Sequence, residues 1–512
     1  MTTRYSGEAF KRSVIHYACG RIFNAVAAFL IFVWVARQLP QGEYANYVAA
    51  FALLEIGLVL SSFGMEWVTA VYVPQFRLNA SGRALRRFVG ECAVIQAAAL
   101  MLGAGVLFVS APWLSNWFGL IGAEGGFRIY AVVMFIEGMS RVFRDQLLAC
   151  LLLQGPAQIS QFARNLTLLV AVIWIFADER ARNVEGLAMA EVAASTVSLV
   201  LACGLLCRYL TKVNNDPAVK SGWAMPRWPA MFKVARNAWV SNLANLTWCW
   251  SAVVLLVART MGVETTSALG FARNLAEQIR RYMPTEFLFG IVRTLLIGRF
   301  SQDGDARSLG VRIGLMYKAN LLFLVPLLIA TITHGDEICA LLSGGRYSSS
   351  AHWFLVAWLC VLVALAHRRL TDLLAHALGR SALTARASLL LTGTPVAILA
   401  SAQLANWALL FFVLLSAEII YSTIVILRLR LPSWSYAPDW IGLGKIALAA
   451  ALAAWALYWV PAGVSHWPAI VAVGLAYGVI WATVWLLRVW TRQETMILST
   501  RLRRWALIER EK

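Results

Sequence analysis

A succession of apolar runs, each roughly 17–25 residues long, constrains this chain more than any other feature, because a helix of that length matches the hydrocarbon thickness of a bilayer. They lie near 14–36, 45–73, 88–110, 127–153, 157–177 and 186–208. A second set lies near 236–258, 267–297, 312–333, 351–375, 382–402 and 405–427, and two more follow at 441–460 and 468–490. The expected fold is therefore an all-α polytopic membrane protein of about fourteen transmembrane helices. Composition agrees: 60% of the 512 residues are hydrophobic and 14% charged, more apolar surface than a soluble domain needs.

Lys and Arg fix the expected orientation. They cluster at Arg4, Lys11 and Arg12, after span two (Arg77, Arg83, Arg86, Arg87), after span six (Arg208, Lys212, Lys220, Arg227, Lys233), after span ten (Arg368, Arg369, Arg380) and after the last span (Arg488, Arg492, Arg501, Arg503, Arg504). The alternate loops 111–127 and 461–468 are free of Lys and Arg before Arg128. Both ends are expected in the cytoplasm. The formal charge of +19 is spread between apolar runs, so it marks topology and not a nucleic-acid surface. The 22 Trp residues, among them Trp113, Trp117, Trp459 and Trp467 near span ends, fit interfacial anchoring. The basic, then apolar N-terminus lacks a cleavage signature and is expected to stay as the first span. The eight Cys residues carry no CxxC, and the six His residues no metal spacing; neither a disulfide nor a metal is expected.

One span is anomalous. Gly270–Arg299 holds Arg273, Glu277, Arg280, Arg281 and Glu286. The first four lie at i, i+4, i+7 and i+8 and share a helical face. A charge at mid-bilayer costs at least ~2.5–3.5 kcal/mol. That face must turn toward water, polar groups or an anionic cargo.

The first twelve spans form an internal repeat at an offset near 222–224. Val35-Ala36-Arg37 matches Val257-Ala258-Arg259, Arg144 matches Arg368, Gly155 matches Gly379, and Ala163-Arg164 matches Ala385-Arg386. Six spans per half make the repeat parallel, with its axis along the membrane normal. The expected organisation is an N-terminal six-helix lobe (1–210), a cytoplasmic linker (211–235), a C-terminal six-helix lobe (236–430), two extra helices (431–490) and a basic tail (491–512).

The residues also carry a likeness. Ala36-Arg37, Leu39, Glu43-Tyr44 and Phe63-Gly64, with Leu341-Leu342, Gly344 and Tyr347 after span nine, resemble the polysaccharide-exporting flippases of the Wzx type. Ala45 and Asn46 depart from that pattern, where a Gly usually follows the Tyr. The resemblance covers about 10–430. It implies the multidrug/oligosaccharidyl-lipid/polysaccharide exporter superfamily, a V of two lobes around a central cavity, and no enzymatic activity. It implies as cargo an undecaprenyl-pyrophosphate-linked oligosaccharide, moved from the inner to the outer leaflet of a bacterial inner membrane. Membrane lipids, a polysaccharide polymerase and chain-length machinery are the implied partners.

Such a cargo needs a polar, cationic lumen, and Arg suits a phosphate because its planar fork makes paired hydrogen bonds. The candidate substrate-binding residues are Arg21, Asn24, Arg141, Arg144, Arg273, Arg280, Arg281 and Arg293. The plainer alternative for each Arg is snorkelling or structural pairing, favoured for Arg37, Arg128, Arg259 and Arg312 near span ends. Candidates for coupling or charge balance are Glu55, Glu66, Asp145, Glu277 and Glu286. Arg273–Glu277–Arg281 and Arg141–Asp145 have i, i+4 spacing. Glu55 and Glu66, three turns apart, would share one face of span two and could couple transport to H+ or Na+, a structural partnership being the plainer reading. Pro284 could kink the eighth span. Gln96, Gln146, Asn165, Asn242, Asn245, Trp248 and Trp250 could touch sugars, helix packing being the commoner use. A peptidoglycan lipid II flippase or a small-molecule antiporter of the same superfamily is the alternative, with a membrane-embedded polymerase or ligase behind it. No phosphate loop, GxSxG or HExxH stands in the chain.

Overall fold

The computed structural model describes residues 7–120, 122–217, 223, 225–246, 249–286, 305–347, 349–378, 380–391, 393–431, 434–460 and 467–497. Helices dominate: α1 (Gly7–Gln38), α2 (Gln41–Ser61), α3 (Met65–Asn79), α4 (Gly82–Phe118), α5 (Glu124–Arg141), α6 (Gln154–Ile175), α7 (Val184–Val213), α8 (Trp228–Leu246) and α9 (Trp250–Tyr282). They continue as α10 (Ala306–Ser343), α11 (Ser349–Ala377), α12 (Ser381–Leu390), α13 (Thr394–Gln403), α14 (Trp407–Arg428), α15 (Trp440–Tyr458) and α16 (Trp467–Leu486). The one sheet among the described residues is a two-residue antiparallel ladder, β1 (Arg430–Leu431) against β2 (Trp434–Ser435). Eleven described helices are long and apolar enough to cross a membrane. The chain is a multi-pass membrane protein.

The difference between eleven and fourteen has physical causes. α5 carries too many charges to qualify by hydropathy. The run 382–402 is broken into α12 and α13 where Thr394-Pro395 starts a new helix, since Pro cannot supply the N–H that a continuous helix needs. Trp250–Tyr282 comprises two helical segments that meet at a kink, where Gly262 (φ 83°, ψ 178°) is non-helical; the break falls inside the expected gap between spans seven and eight, with no loop of its own.

The second run is likewise two helices. Phe63 (φ 45°) and Gly64 (φ 70°) adopt left-handed backbone and separate α2 from α3. Gly64 is required there twice over, because a Cβ would stand 2.0 Å from the carbonyl oxygen of Ala235. The polar break is satisfied by Gln96 of α4, whose amide donates to Ser62 O at 2.8 Å.

The chain divides into two compact units, Met1–Gly270 and Phe271–Lys512. In the first, α5 packs on α2, α4 and α7, while α6 lies between α1 and α7. Its core includes Phe76 and Phe88, stacked at 4.2 Å. In the second, α10 packs on α11, α15 and α16, and α11 packs on α14.

Candidate functional site

Glu55, Glu137, Arg141, Arg144, Asp145, Arg164 and Glu191 of the first unit form one connected network. α5 ends in a π-helical stretch, Val142–Leu148, which widens the turn and changes which side chains meet. The pair Arg141–Asp145 suggested by i, i+4 spacing does not form. Arg141 instead donates to Glu137 Oε1 at 3.0 Å and, across to α2, to Glu55 at 2.9 and 3.3 Å. Asp145 is held by Arg144 through two bonds of 2.9 Å. Arg144 also reaches Ser140 and Ser198, and lies 3.7 Å from Glu137. Arg164 of α6 donates to Glu137 at 2.8 Å and makes a short bond to Glu191 of α7. Glu137, 3% exposed, therefore stands among three guanidinium groups and accepts from Ser195 as well.

This arrangement follows from the cost of burying ions. Each buried carboxylate must be compensated, and losing one partner of such a pair costs ~3–5 kcal/mol. Sequence reading named Arg141, Arg144, Glu55 and Asp145 as candidates and counted Glu137 and Glu191 among the acidic residues inside spans that could balance an arginine or titrate, but it gave Arg164 no role in the site. The usable signal was a lone Arg in the middle of the run 157–177, which demands carboxylate partners on neighbouring spans.

The other candidates of this unit lie apart from one another. Asn24 is buried and ties α1 to α6, donating to Gln158 Oε1 at 2.9 Å and accepting from Asn165 at 3.3 Å. Arg21 bonds Tyr17 on its own helix. Glu66 does not share a face with Glu55, because the left-handed break puts them on different helices; it accepts from Asn242 of α8 at 2.7 Å. Arg128 pairs with Glu124 at 2.8 Å, and Arg259 lies over the Trp117 ring at 5.3 Å.

In the second unit, Glu277 binds Arg280 at 2.7 Å and stands 3.9 Å from Arg281, whereas Arg273 turns to Asn274 at 3.2 Å. The Nε of Arg273 is buried without a hydrogen-bond partner. α9 stops before Pro284, where Asn320 of α10 accepts from the Thr285 N–H at 3.1 Å and donates to its hydroxyl at 2.6 Å. The backbone freed by the proline is thus satisfied inside the protein, as spanning segments require. Glu286 pairs with Arg369, and Arg369 lies within electrostatic reach of Arg280, Glu277, Glu418 and Asp372. Arg368 donates to Glu418 at 2.9 Å and lies over the Tyr421 ring at 4.0 Å, while Tyr421 donates to Asp372 at 2.7 Å. His367 packs on Tyr317, and its Nε2 is buried without a hydrogen bond. Arg293 and Trp248 lie outside the described residues.

A further buried ion in this unit escaped sequence reading. Lys318, 1% exposed, donates to Asp439 at 2.6 Å, Glu494 at 2.7 Å and Val489 O at 3.2 Å. Asp439 also caps α15 through the Gly442 N–H, and Glu494 forms a capping box with Thr491. Burial pushes the Asp439 carboxyl up, but the hydrogen bonds from Lys318 and from the backbone of Gly442 and Ile441 outweigh it and hold the carboxyl below its ordinary 3.8.

No family model matches the chain, and no curated protein matches its sequence. Its structure is similar to solved ones. "Lipid II flippase MurJ, inward closed conformation" superposes with a TM-score of 0.68 at 13% identity, covering 92% of this chain and 98% of that one. An inward-facing multidrug resistance MATE family transporter of the MOP superfamily gives 0.58 at 14% identity, covering 81% and 98%. The eukaryotic MATE transporter AtDTX14 gives 0.52 at 11%, covering 81% and 94%. The chain has the fold of the MOP-superfamily transporters. Within that fold, the ion-paired arginines of these clusters sit on α6, α9 and α11, which are long and apolar enough to span the membrane, and on α5 and the π-helical stretch that follows it.

Proposed function

We propose that this MOP-fold chain is a flippase that carries an undecaprenyl-pyrophosphate-linked oligosaccharide from the cytoplasmic to the periplasmic leaflet of a bacterial inner membrane, for cell-surface polysaccharide assembly. The observation that carries the reading is the charge of the second unit. Among the described residues, Arg273, Arg280 and Arg281 of α9 and Arg368 and Arg369 of α11 stand with Glu277 of α9, Glu286 beyond it, Asp372 of α11 and Glu418 of α14, five guanidinium groups for four carboxylates. The Arg273 Nε still lacks an acceptor, and the Arg281 side chain is 45% exposed. A pyrophosphate supplies acceptor oxygens in the forked geometry that guanidinium groups match. The polyprenyl chain stays in lipid, while sugar and phosphates pass through a polar path by alternating access.

Chain length supports a lipid-linked cargo over a small molecule. The MATE chains are matched over nearly their whole length yet leave about a fifth of this chain uncovered, whereas the lipid II flippase leaves 8%. Excess Arg also disfavours a cationic drug, since like charges repel strongly at low dielectric. Lipid II itself is the second reading, favoured by the same superposition. Coupling to H+ or Na+, and assembly with a polymerase and chain-length machinery, belong to the proposal.

Replacing Arg280 and Arg281 together by Gln is expected to abolish surface polysaccharide while protein level and membrane insertion stay normal. Unchanged polysaccharide removes these residues from the mechanism. Cell lysis on depletion, with polysaccharide still made, selects lipid II.

A further inference from the structure

Pro284 has no N–H and follows the end of α9 at Tyr282, so the backbone donors beyond it need partners from another element. Asn320 of α10, 0% exposed, meets that need with both ends of its amide. Its Oδ1 accepts from the Thr285 N–H at 3.1 Å, and its Nδ2 donates to the Thr285 hydroxyl at 2.6 Å. Lys318 lies two residues earlier, about 200° round the helix from Asn320. Asp439 and Glu494 hold it there. α10 is gripped on two sides, and its clasp on Thr285 sets where the next side chain begins. That side chain is Glu286, which pairs with Arg369 of α11.

The two adjacent arginines of α11 are held differently. Arg368 is sealed: its side chain is 14% exposed, its partner Glu418 13%, and its guanidinium lies over the Tyr421 ring. Arg369 is 35% exposed, with Glu286 at 15%. Its carboxylate partner comes from the segment past the proline, whereas Glu277 shares a helix with Arg280 and Arg281. An exposed guanidinium on a spanning helix turns to polar surroundings, not to lipid. A second anion can therefore reach Arg369, where it meets a fork already taken by a carboxylate. Both anions accept from the same N–H groups, so they compete.

We propose that Glu286 is a built-in counter-anion for Arg369, presented by the Asn320–Thr285 clasp, which the pyrophosphate of the cargo displaces on loading and which displaces the pyrophosphate on release. The carboxylate keeps the guanidinium paired in the empty site, where an unpaired buried charge is costly. It also weakens the hold on the phosphates, because a transport site has to release what it binds. Asn320 is a positioning residue that touches no cargo and acts on Glu286 through Thr285. The ligand chemistry is a pyrophosphate group, free or lipid-linked. Its place in a cargo rests on the flippase reading; the exchange of anions at Arg369 does not.

Titration calorimetry of inorganic pyrophosphate into the full-length protein in detergent reads the exchange. Glu286→Gln removes the competitor and is expected to tighten binding roughly tenfold, a modest coupling between two ligands of one group. Glu286→Asp, with its carboxylate drawn back by one methylene, should fall between. Asn320→Ala lets the carboxylate swing away, so it should tighten binding in the wild-type background and add nothing to Glu286→Gln. A merely structural Asn320 would lower the melting temperature and leave the affinity alone. Arg369→Gln should erase the gain from Glu286→Gln. The proposal is overturned if Glu286→Gln binds pyrophosphate no tighter than the wild type, absence of binding in both included, or if the gain survives Arg369→Gln. In vesicles with a fluorescent undecaprenyl-pyrophosphate oligosaccharide, Glu286→Gln is expected to lower both the apparent KM and the maximal rate. A maximal rate at or above that of the wild type overturns the role in release. Pyrophosphate exchange in a wild type that moves no lipid contradicts the flippase alone. Lipid movement with equal pyrophosphate affinity in the wild type and Glu286→Gln contradicts the counter-anion alone.

Discussion

Arg141 of α5 and Glu55 of α2, 86 residues apart in sequence, are joined by two hydrogen bonds of 2.9 and 3.3 Å from one guanidinium fork. The same Arg binds Glu137 through its Nε, so a single side chain fixes α2 against α5. Arg141→Gln should destabilise the first unit by ~3–5 kcal/mol, because it takes the guanidinium fork from Glu55 and one of the three guanidinium groups from Glu137. Arg141→Lys should recover only part, since a point charge cannot make the fork. A double-mutant cycle with Glu55→Gln, read by thermal melting in detergent, should show strong coupling. Additive effects would mean that the pair contributes nothing to stability.

The Lys318 clasp predicts a similar penalty at the other end of the chain. Lys318→Met removes the cation between Asp439 and Glu494, and should cost ~3–5 kcal/mol by the same reasoning. Limited proteolysis should then cut near residues 487–497 well before the rest of the protein. Wild-type protection of that segment in the variant would contradict the clasp.

Acid should weaken the clasp in a defined direction. The folded carboxyl of Asp439 lies below its ordinary 3.8, so its contribution is complete above that value and is lost as pH falls through the lower, folded one. Stability measured from pH 7 to pH 3 should be flat and then drop, and Asp439→Asn should lower the plateau and flatten the drop. An equal slope in both proteins would assign the acid limb to other groups.

Gly64 has no substitute. Gly64→Ala meets both a left-handed φ of 70° and the Ala235 carbonyl at 2.0 Å. Backbone strain alone costs ~1–3 kcal/mol, and the collision must also push α8 away from α3. Reduced melting temperature with normal membrane insertion is the expected result, and wild-type melting would mean that the break relaxes without cost.

The sequence made some of this legible and hid the rest for identifiable reasons. Run length and charge periodicity revealed the membrane spans and the charged face of α9, because both depend on local spacing alone. The break at Phe63-Gly64 was hidden by the Phe, a residue that seldom adopts left-handed backbone and here does so in an apolar run. The π-helical stretch after Arg141 was invisible for a different reason: it keeps right-handed backbone and differs only in hydrogen-bond register, and it redirected Asp145 from Arg141 to Arg144. Arg164 and Lys318 were visible as single charges within apolar runs, but their partners lie 27 and 121 to 176 residues away. Only folding shows which carboxylates meet them.

The most direct test of the central claim is leaflet translocation in vesicles that contain the purified protein and a fluorescent undecaprenyl-pyrophosphate oligosaccharide, scored by quencher access. The account predicts that the wild type equilibrates the lipid between leaflets far faster than protein-free vesicles, and that Arg280→Gln with Arg281→Gln returns the rate to background. A wild type no faster than empty vesicles, or a double variant as fast as the wild type, would contradict it.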